Sequence, residues 1–150
     1  MIKSKLSSIT AIIITVLICS SFLIPEQIPI SGKIPWTKTK YTIGIGDKIE
    51  LITMGDISPI ANVKCNPDGV PNKADLQTNF GIIKTSNFGC LIGKIGENGS
   101  PFYVGTNLTI TSESNGDLYL GINDTDLKDN SGEFLTIVTI SPINTTQSTE

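Results

Sequence analysis

The longest apolar run of the chain stands at its start. Behind Met1-Ile2-Lys3-Ser4-Lys5, residues Ile9 to Ile24 carry few polar side chains, and Ile12-Ile13-Ile14-Thr15-Val16-Leu17-Ile18 is the densest part. A basic opening followed by an apolar stretch predicts a secretory signal. Ser7 to Ile24 also just reaches the lower limit of about 17 residues for a membrane-spanning helix. Cleavage after Ser21 would put Cys19 and Ser21 at the small-residue positions, whereas Ile18 is too bulky for a good lipobox at Val16-Leu17-Ile18-Cys19. Lys3 and Lys5 favour an inside start and a translocated body. Residues 1–24 are therefore predicted to be a signal peptide or a membrane anchor. The remainder is predicted to be extracytoplasmic: periplasmic, on the cell surface or secreted.

Beyond this segment the pattern changes from a continuous run to short alternations. Pro25 to Pro35 holds three prolines and a Ser-Gly pair, which predicts an extended linker over 25–35. Ile49–Met54, Cys90–Ile95, Leu108–Thr111, Leu118–Ile122 and Glu133–Ile140 read as strands, separated by turn signals such as Gly46-Asp47, Glu97-Asn98-Gly99 and Ser114-Asn115-Gly116-Asp117. No stretch after the linker sustains a helical period, so little helix is expected. Asn62 to Phe80 is polar and turn-rich, as a surface loop excursion would be. Residues 141–150 read as a polar tail. The reading is all-β, one sandwich over 36–140 behind an N-terminal hydrophobic helix.

Composition then removes function classes. The 150 residues suit one domain, and 39% apolar residues allow a true core. Net charge is −3, and no basic cluster appears beyond Lys33–Lys40, which argues against nucleic acid as a partner. Histidine is absent, which excludes Ser-His-Asp and Cys-His catalysis and His-ligated zinc. Three cysteines, Cys19, Cys65 and Cys90, form neither a metal knuckle nor a disulfide framework. Cys65 and Cys90 could pair in an oxidising compartment, or each could be a small buried side chain; the second reading is the simpler.

The most informative chemistry is the segment Asn123-Asp124-Thr125-Asp126-Leu127-Lys128-Asp129-Asn130-Ser131-Gly132, set between two apolar strands. Its carboxylates and amides put many hard oxygen donors within one loop. Calcium takes six to eight such oxygens at roughly 2.3–2.6 Å and accepts carbonyls beside carboxylates. Converging aspartates would repel one another without a cation. The Asp spacing and the glycine position are not those of an EF-hand. The same residue types also make ordinary turns that bind nothing.

Several segments, in order, carry a family resemblance. They are Pro35-Trp36-Thr37, Gly46-Asp47 before the Ile49–Met54 strand, Asn66-Pro67-Asp68-Gly69, Gly89-Cys90-Leu91-Ile92-Gly93-Lys94-Ile95-Gly96 and Pro101-Phe102-Tyr103-Val104-Gly105. Gly116–Asp124 and Asp129-Asn130-Ser131-Gly132-Glu133-Phe134 complete them. Together they resemble the PA-IL-like galactophilic lectins of bacteria over about residues 36–140. The resemblance implies a small jelly-roll-like β-sandwich whose Ca2+ is completed by sugar hydroxyls. Carried onto this chain, the metal ligands would be Asp124, Asp129 and Asn130 through side chains, with carbonyls near Asp126 and Pro59. Asp124 and Asp129 would also accept hydrogen bonds from the bound sugar. The metal loop is shorter here than in galactose-binding members, and Asp129 stands where the family has asparagine. The histidine and glutamine that read the sugar's hydroxymethyl group are not reproduced, Lys73 to Asn79 aligning poorly. The resemblance thus implies a glycan partner, galactose-like or not, and a homo-oligomer, without fixing either.

Three classes of function follow. The first is a calcium-dependent, carbohydrate-binding lectin-like module. The second is a non-catalytic structural or adhesion domain in which calcium only stiffens a loop. The third, a glycoside hydrolase using Asp68, Asp75 or the loop aspartates, has no spacing to support it. The chain is therefore expected not to be an enzyme. Trp36 and Tyr103 are the candidate stacking platforms for a sugar, Trp36 being expected to pack at the domain entrance instead.

Overall fold

A computed structural model describes residues 25–71 and 81–143 of the chain. Expectations for residues 1–24, for Lys73 to Asn79 including Asp75, and for the end of the tail fall outside those residues. Among the described residues there is no helix, and nine strands form two antiparallel sheets. One sheet orders β1 (Ile28–Ser31), β9 (Ser131–Ser141) and β3 (Lys48–Ile60), with β4 (Val63–Cys65) and β7 (Asn107–Thr111) both on the far edge of β3. The other orders β2 (Thr37–Ile43), β8 (Gly116–Ile122), β5 (Leu91–Ile95) and β6 (Phe102–Tyr103).

Period-two alternation sends one set of side chains from each sheet into a shared core. Leu118, Leu120 and Ile122 point inward from β8, and Phe134 and Val138 from β9. Ile49, Leu51 and Ile57 do so from β3, Leu91 from β5 and Ile30 from β1, all in one apolar cluster. Each fully buried aliphatic or aromatic side chain contributes roughly 1.5–3 kcal/mol relative to its exposed state.

Two expectations are corrected. The stretch 25–35 is not only a linker, because Ile28–Ser31 pairs with Glu133–Thr136 and buries Ile30 completely. Its prolines suit an edge position, where the missing N–H costs no ladder bond. The Asn62–Phe80 excursion likewise opens with a strand, β4, folded back on the end of β3 by a turn in which Asn62 adopts φ 66°. Asparagine tolerates that left-handed conformation better than most residues.

The pairing that positions the site is β3 with β9. It runs without a slip from Lys48 opposite Ser141 to Ser58 opposite Ser131. One residue beyond that last pair stand Pro59 on β3 and Asn130 at the entry to β9, at the end of the sandwich where the loop after β8 arrives.

Candidate functional site

The loop between β8 and β9 separates its oxygen-bearing residues by depth. Asp124 is 4% exposed and Asn130 1%, while Asp126 and Asp129 lie in solvent. Asp124 Oδ1 accepts the Asp126 N–H at 3.0 Å, and Asp126 Oδ1 in turn accepts the Lys128 N–H at 3.2 Å. These local bonds curl the loop the way Asx turns do. They leave Asp124 Oδ2 buried with no donor.

Asn130 is oriented from the other side of the fold. Its Nδ2 donates to the Gly32 carbonyl at 2.9 Å, and Gly32 N–H donates to the Gly132 carbonyl at 3.0 Å. Of the two polar ends of an asparagine side chain only the nitrogen can donate to a carbonyl, so this bond fixes which way the side chain faces. Asn130 Oδ1 is left buried without a donor, like Asp124 Oδ2. Buried acceptor oxygens without a hydrogen-bond partner are costly.

The electrostatics agree with that geometry. Burial pushes the Asp124 carboxyl above the usual carboxylate range, and the negative charge of Asp129 adds to it. The N–H groups of Asp126 and Thr125 and the Asn130 amide pull the other way without overcoming burial. The pocket therefore disfavours a bare carboxylate and would favour one with a cation beside it.

The residues singled out by sequence fall into two groups. Asp124 and Asn130 come together, with Asp129 near enough to act on Asp124 through its charge. Pro59 is buried in β3, one residue beyond its last pair with β9. The Asp126 carboxylate, by contrast, is exposed and holds the loop backbone. Among the described residues no three acidic or cysteine side chains gather as a metal cluster. A cation here would draw on an amide and backbone carbonyls as well, a donor mixture that suits calcium. The two orphaned oxygens fit that ion.

The neighbouring residue, Asn123, opens the oxygen-rich segment but is not among the ligands expected from the sequence. It is fully buried, and its Oδ1 accepts the Ile83 N–H at 2.7 Å. Its Nδ2 faces the carbonyls of Ile83 at 3.1 Å, Asn87 at 3.0 Å and Ser86 at 3.4 Å. Its backbone pairs with Gly89 and Cys90. Gly89 has φ +75°, and a Cβ there would lie 2.7 Å from Pro59 Cγ. Only glycine fits that approach.

Asp68 is a second polar hub. Its Oδ1 accepts the Tyr103 hydroxyl at 2.9 Å and the Thr106 N–H at 2.8 Å, while its carbonyl accepts Asn87 Nδ2 at 2.9 Å. These donors, the Thr106 N–H foremost, hold its carboxyl below the usual range. Its engaged carboxylate suits a structural role better than a hydrolytic one. A shallow cavity of about 490 Å³ lies beside it, bordered by Asp56, Lys64, Asn66 and Asn87 but by none of the β8–β9 loop.

Trp36 lies over Gly121 of β8, and Lys94 Nζ stands 4.7 Å from its ring centroid. The indole is thus packed on the second sheet. Cys65 and Cys90 are buried free thiols, and burial raises them to about 11 and about 12.

No protein-family model matches the chain, and no curated protein matches it. Among solved structures it is similar to the N-terminal domain of EclA, a PllA-like lectin. The TM-score is 0.62 at 21% identity, with 77% of this chain and 96% of that chain covered. The two share a fold. At this identity the likeness speaks for the two-sheet architecture.

Proposed function

We propose that the chain is a carbohydrate-binding, lectin-like module that works with calcium outside the cytoplasm. The observation that carries this reading is the pair of buried, donor-less oxygens, Asp124 Oδ2 and Asn130 Oδ1, at one end of a sandwich whose fold a lectin domain shares. The ion would be held by Asp124, Asn130 and Asp129 through side chains, with backbone carbonyls at Asp126 and Pro59. Bound calcium supplies coordination positions that two vicinal hydroxyls of a pyranose can take in place of water. Asp124 and Asp129 accept hydrogen bonds from those hydroxyls, charge-assisted and directional. Affinity for one monosaccharide is modest, since little apolar area is buried, and self-association or a shared surface would raise it by multivalency.

A second reading rests on the loop's own bonds. The Asp124–Asp126–Lys128 turns already brace the segment, so calcium could serve only to complete that bracing in an adhesion domain.

One experiment separates them. Calcium is titrated into the chelator-treated full chain in detergent, followed by calorimetry and thermal melting, and a glycan array is then read with and without chelator. About one equivalent bound, a raised melting temperature and chelator-sensitive glycan binding support the module. Calcium binding with a blank array supports the bracing role, and no calcium response at all removes both.

A further inference from the structure

We propose that Asn123 is a positioning residue, whose side-chain amide fixes the loop 81–88 as a wall of the binding site beside Asp124. The proposal rests on the carbohydrate reading and adds the part of the site that meets the ligand beyond its metal-bound hydroxyls.

Asn123 treats Ile83 as a strand would, accepting from its N–H and donating to its carbonyl, and it reaches the carbonyls of Ser86 and Asn87 as well. An amide side chain can do this because it carries a carbonyl oxygen and two N–H groups in one plane. Beside the loop's own Ser86 N–H to Ile83 carbonyl bond and the Val70–Phe88 bridge, one side chain thereby ties the loop to the end of β8. The loop is gripped at its other end too. Asn87 donates to the Asp68 carbonyl, and Gly89 lies against Pro59 with no room for a side chain.

These anchors bracket the candidate ion. Asn123 precedes Asp124 in the chain, and Pro59, against which Gly89 packs, supplies one of the expected carbonyl ligands. The loop's exposed residues, among them Ile82, Lys84 and Thr85, thus stand at the same end of the sandwich as the orphaned oxygens. The family's sugar-reading histidine and glutamine have no counterpart here. A wall built on Asn123 gives this chain a different means of discriminating a pyranose held through its vicinal diol.

The test compares wild type, Asn123→Ser and Thr85→Trp as full chains in detergent. Calcium affinity is measured by calorimetry, and binding is measured to immobilised pyranosides with vicinal diols, galactose among them. Hydrogen exchange at the Ile83 amide reports whether the loop is released. Asn123→Ser is expected to speed that exchange and weaken sugar binding by about tenfold or more while calcium affinity stays within about threefold. Thr85→Trp, at an exposed position, is expected to block sugar with calcium binding and melting unchanged, and it remains informative if Asn123→Ser fails to fold. Sugar binding retained in both variants overturns the proposal. So does a loss of calcium affinity in Asn123→Ser matching its loss of sugar. A wild type that binds calcium but no sugar on the panel defeats the carbohydrate reading itself, and this proposal with it.

Discussion

Asn130 gives its amide to the Gly32 carbonyl at 2.9 Å, across 98 residues of sequence, and is thereby left with a buried Oδ1 that no donor reaches. One hydrogen bond from the β1–β2 turn thus sets the face that the β8–β9 loop presents. Asp124, at the other end of that loop, is in the same condition through Oδ2.

The two orphaned oxygens lead to a direct test. Asp124→Ala and Asn130→Ala are each expected to weaken calcium binding by about tenfold or more, since each removes an oxygen that no other group replaces. Calorimetry on chelator-treated protein measures it. Unchanged affinity in both variants would remove the site assignment.

A chain begun at Trp36 lacks β1 and Gly32. It loses the burial of Ile30 and the bond that orients Asn130. Deleting a buried isoleucine side chain alone costs about 2–5 kcal/mol. Urea melts of chains begun at Pro25 and at Trp36 should differ by at least the lower figure, and calcium should bind the shorter one more weakly. Equal stability would mean that β1 is dispensable.

Gly89→Ala places a methyl group against Pro59 on backbone at φ +75°. The left-handed conformation alone costs roughly 1–2 kcal/mol for a non-glycine residue, and relieving the contact must move Pro59. A lower denaturation midpoint together with weaker calcium binding is expected. A destabilised variant with wild-type calcium affinity would detach Pro59 from the metal.

The two thiols give a chemical readout. With Cys65 raised to about 11 and Cys90 to about 12, almost no thiolate exists at pH 8 and neither sulfur is accessible. In a Cys19→Ser background, a disulfide-exchange reagent should label neither cysteine until denaturant is added, and then both. Prompt labelling of the native protein would contradict the packing around Gly89.

Asp68 links stability to pH. Its carboxyl is held below its usual range by the Thr106 N–H and the Tyr103 hydroxyl, so the folded pKa lies below the unfolded one. Its contribution is fully present above the ordinary carboxylate range and is lost as pH falls through the folded value. Asp68→Ala should therefore melt below wild type at neutral pH, with the gap closing on acidification. A gap independent of pH would show that the carboxylate's charge does not matter there.

The sequence was most legible where one side of a strand faces the core. Leu118, Leu120 and Ile122 alternate in the chain as they do in the fold, and the turn residues around them mark the strand ends. The all-β reading and the location of the oxygen-rich loop came from such local periodicity. Strands with weak apolar alternation escaped it: β1, where prolines read as a linker, β2 (Thr37–Ile43), whose buried Thr39 is polar, β4 within the polar excursion, and two-residue β6.

What the chain decided by itself is the supply of chemistry: no histidine, few aromatics, and hard oxygen donors concentrated between two apolar strands. Only the tertiary structure decided how each of those oxygens is placed. Asp124 and Asn130 are buried and Asp126 and Asp129 exposed because of how β8, β9 and the Gly32 turn meet. Asn123 stands out only through Ile83, Ser86 and Asn87, some forty residues earlier. Periodicity reports what a residue's own strand does with it. Burial without a partner depends on groups far away in sequence, which no local pattern encodes.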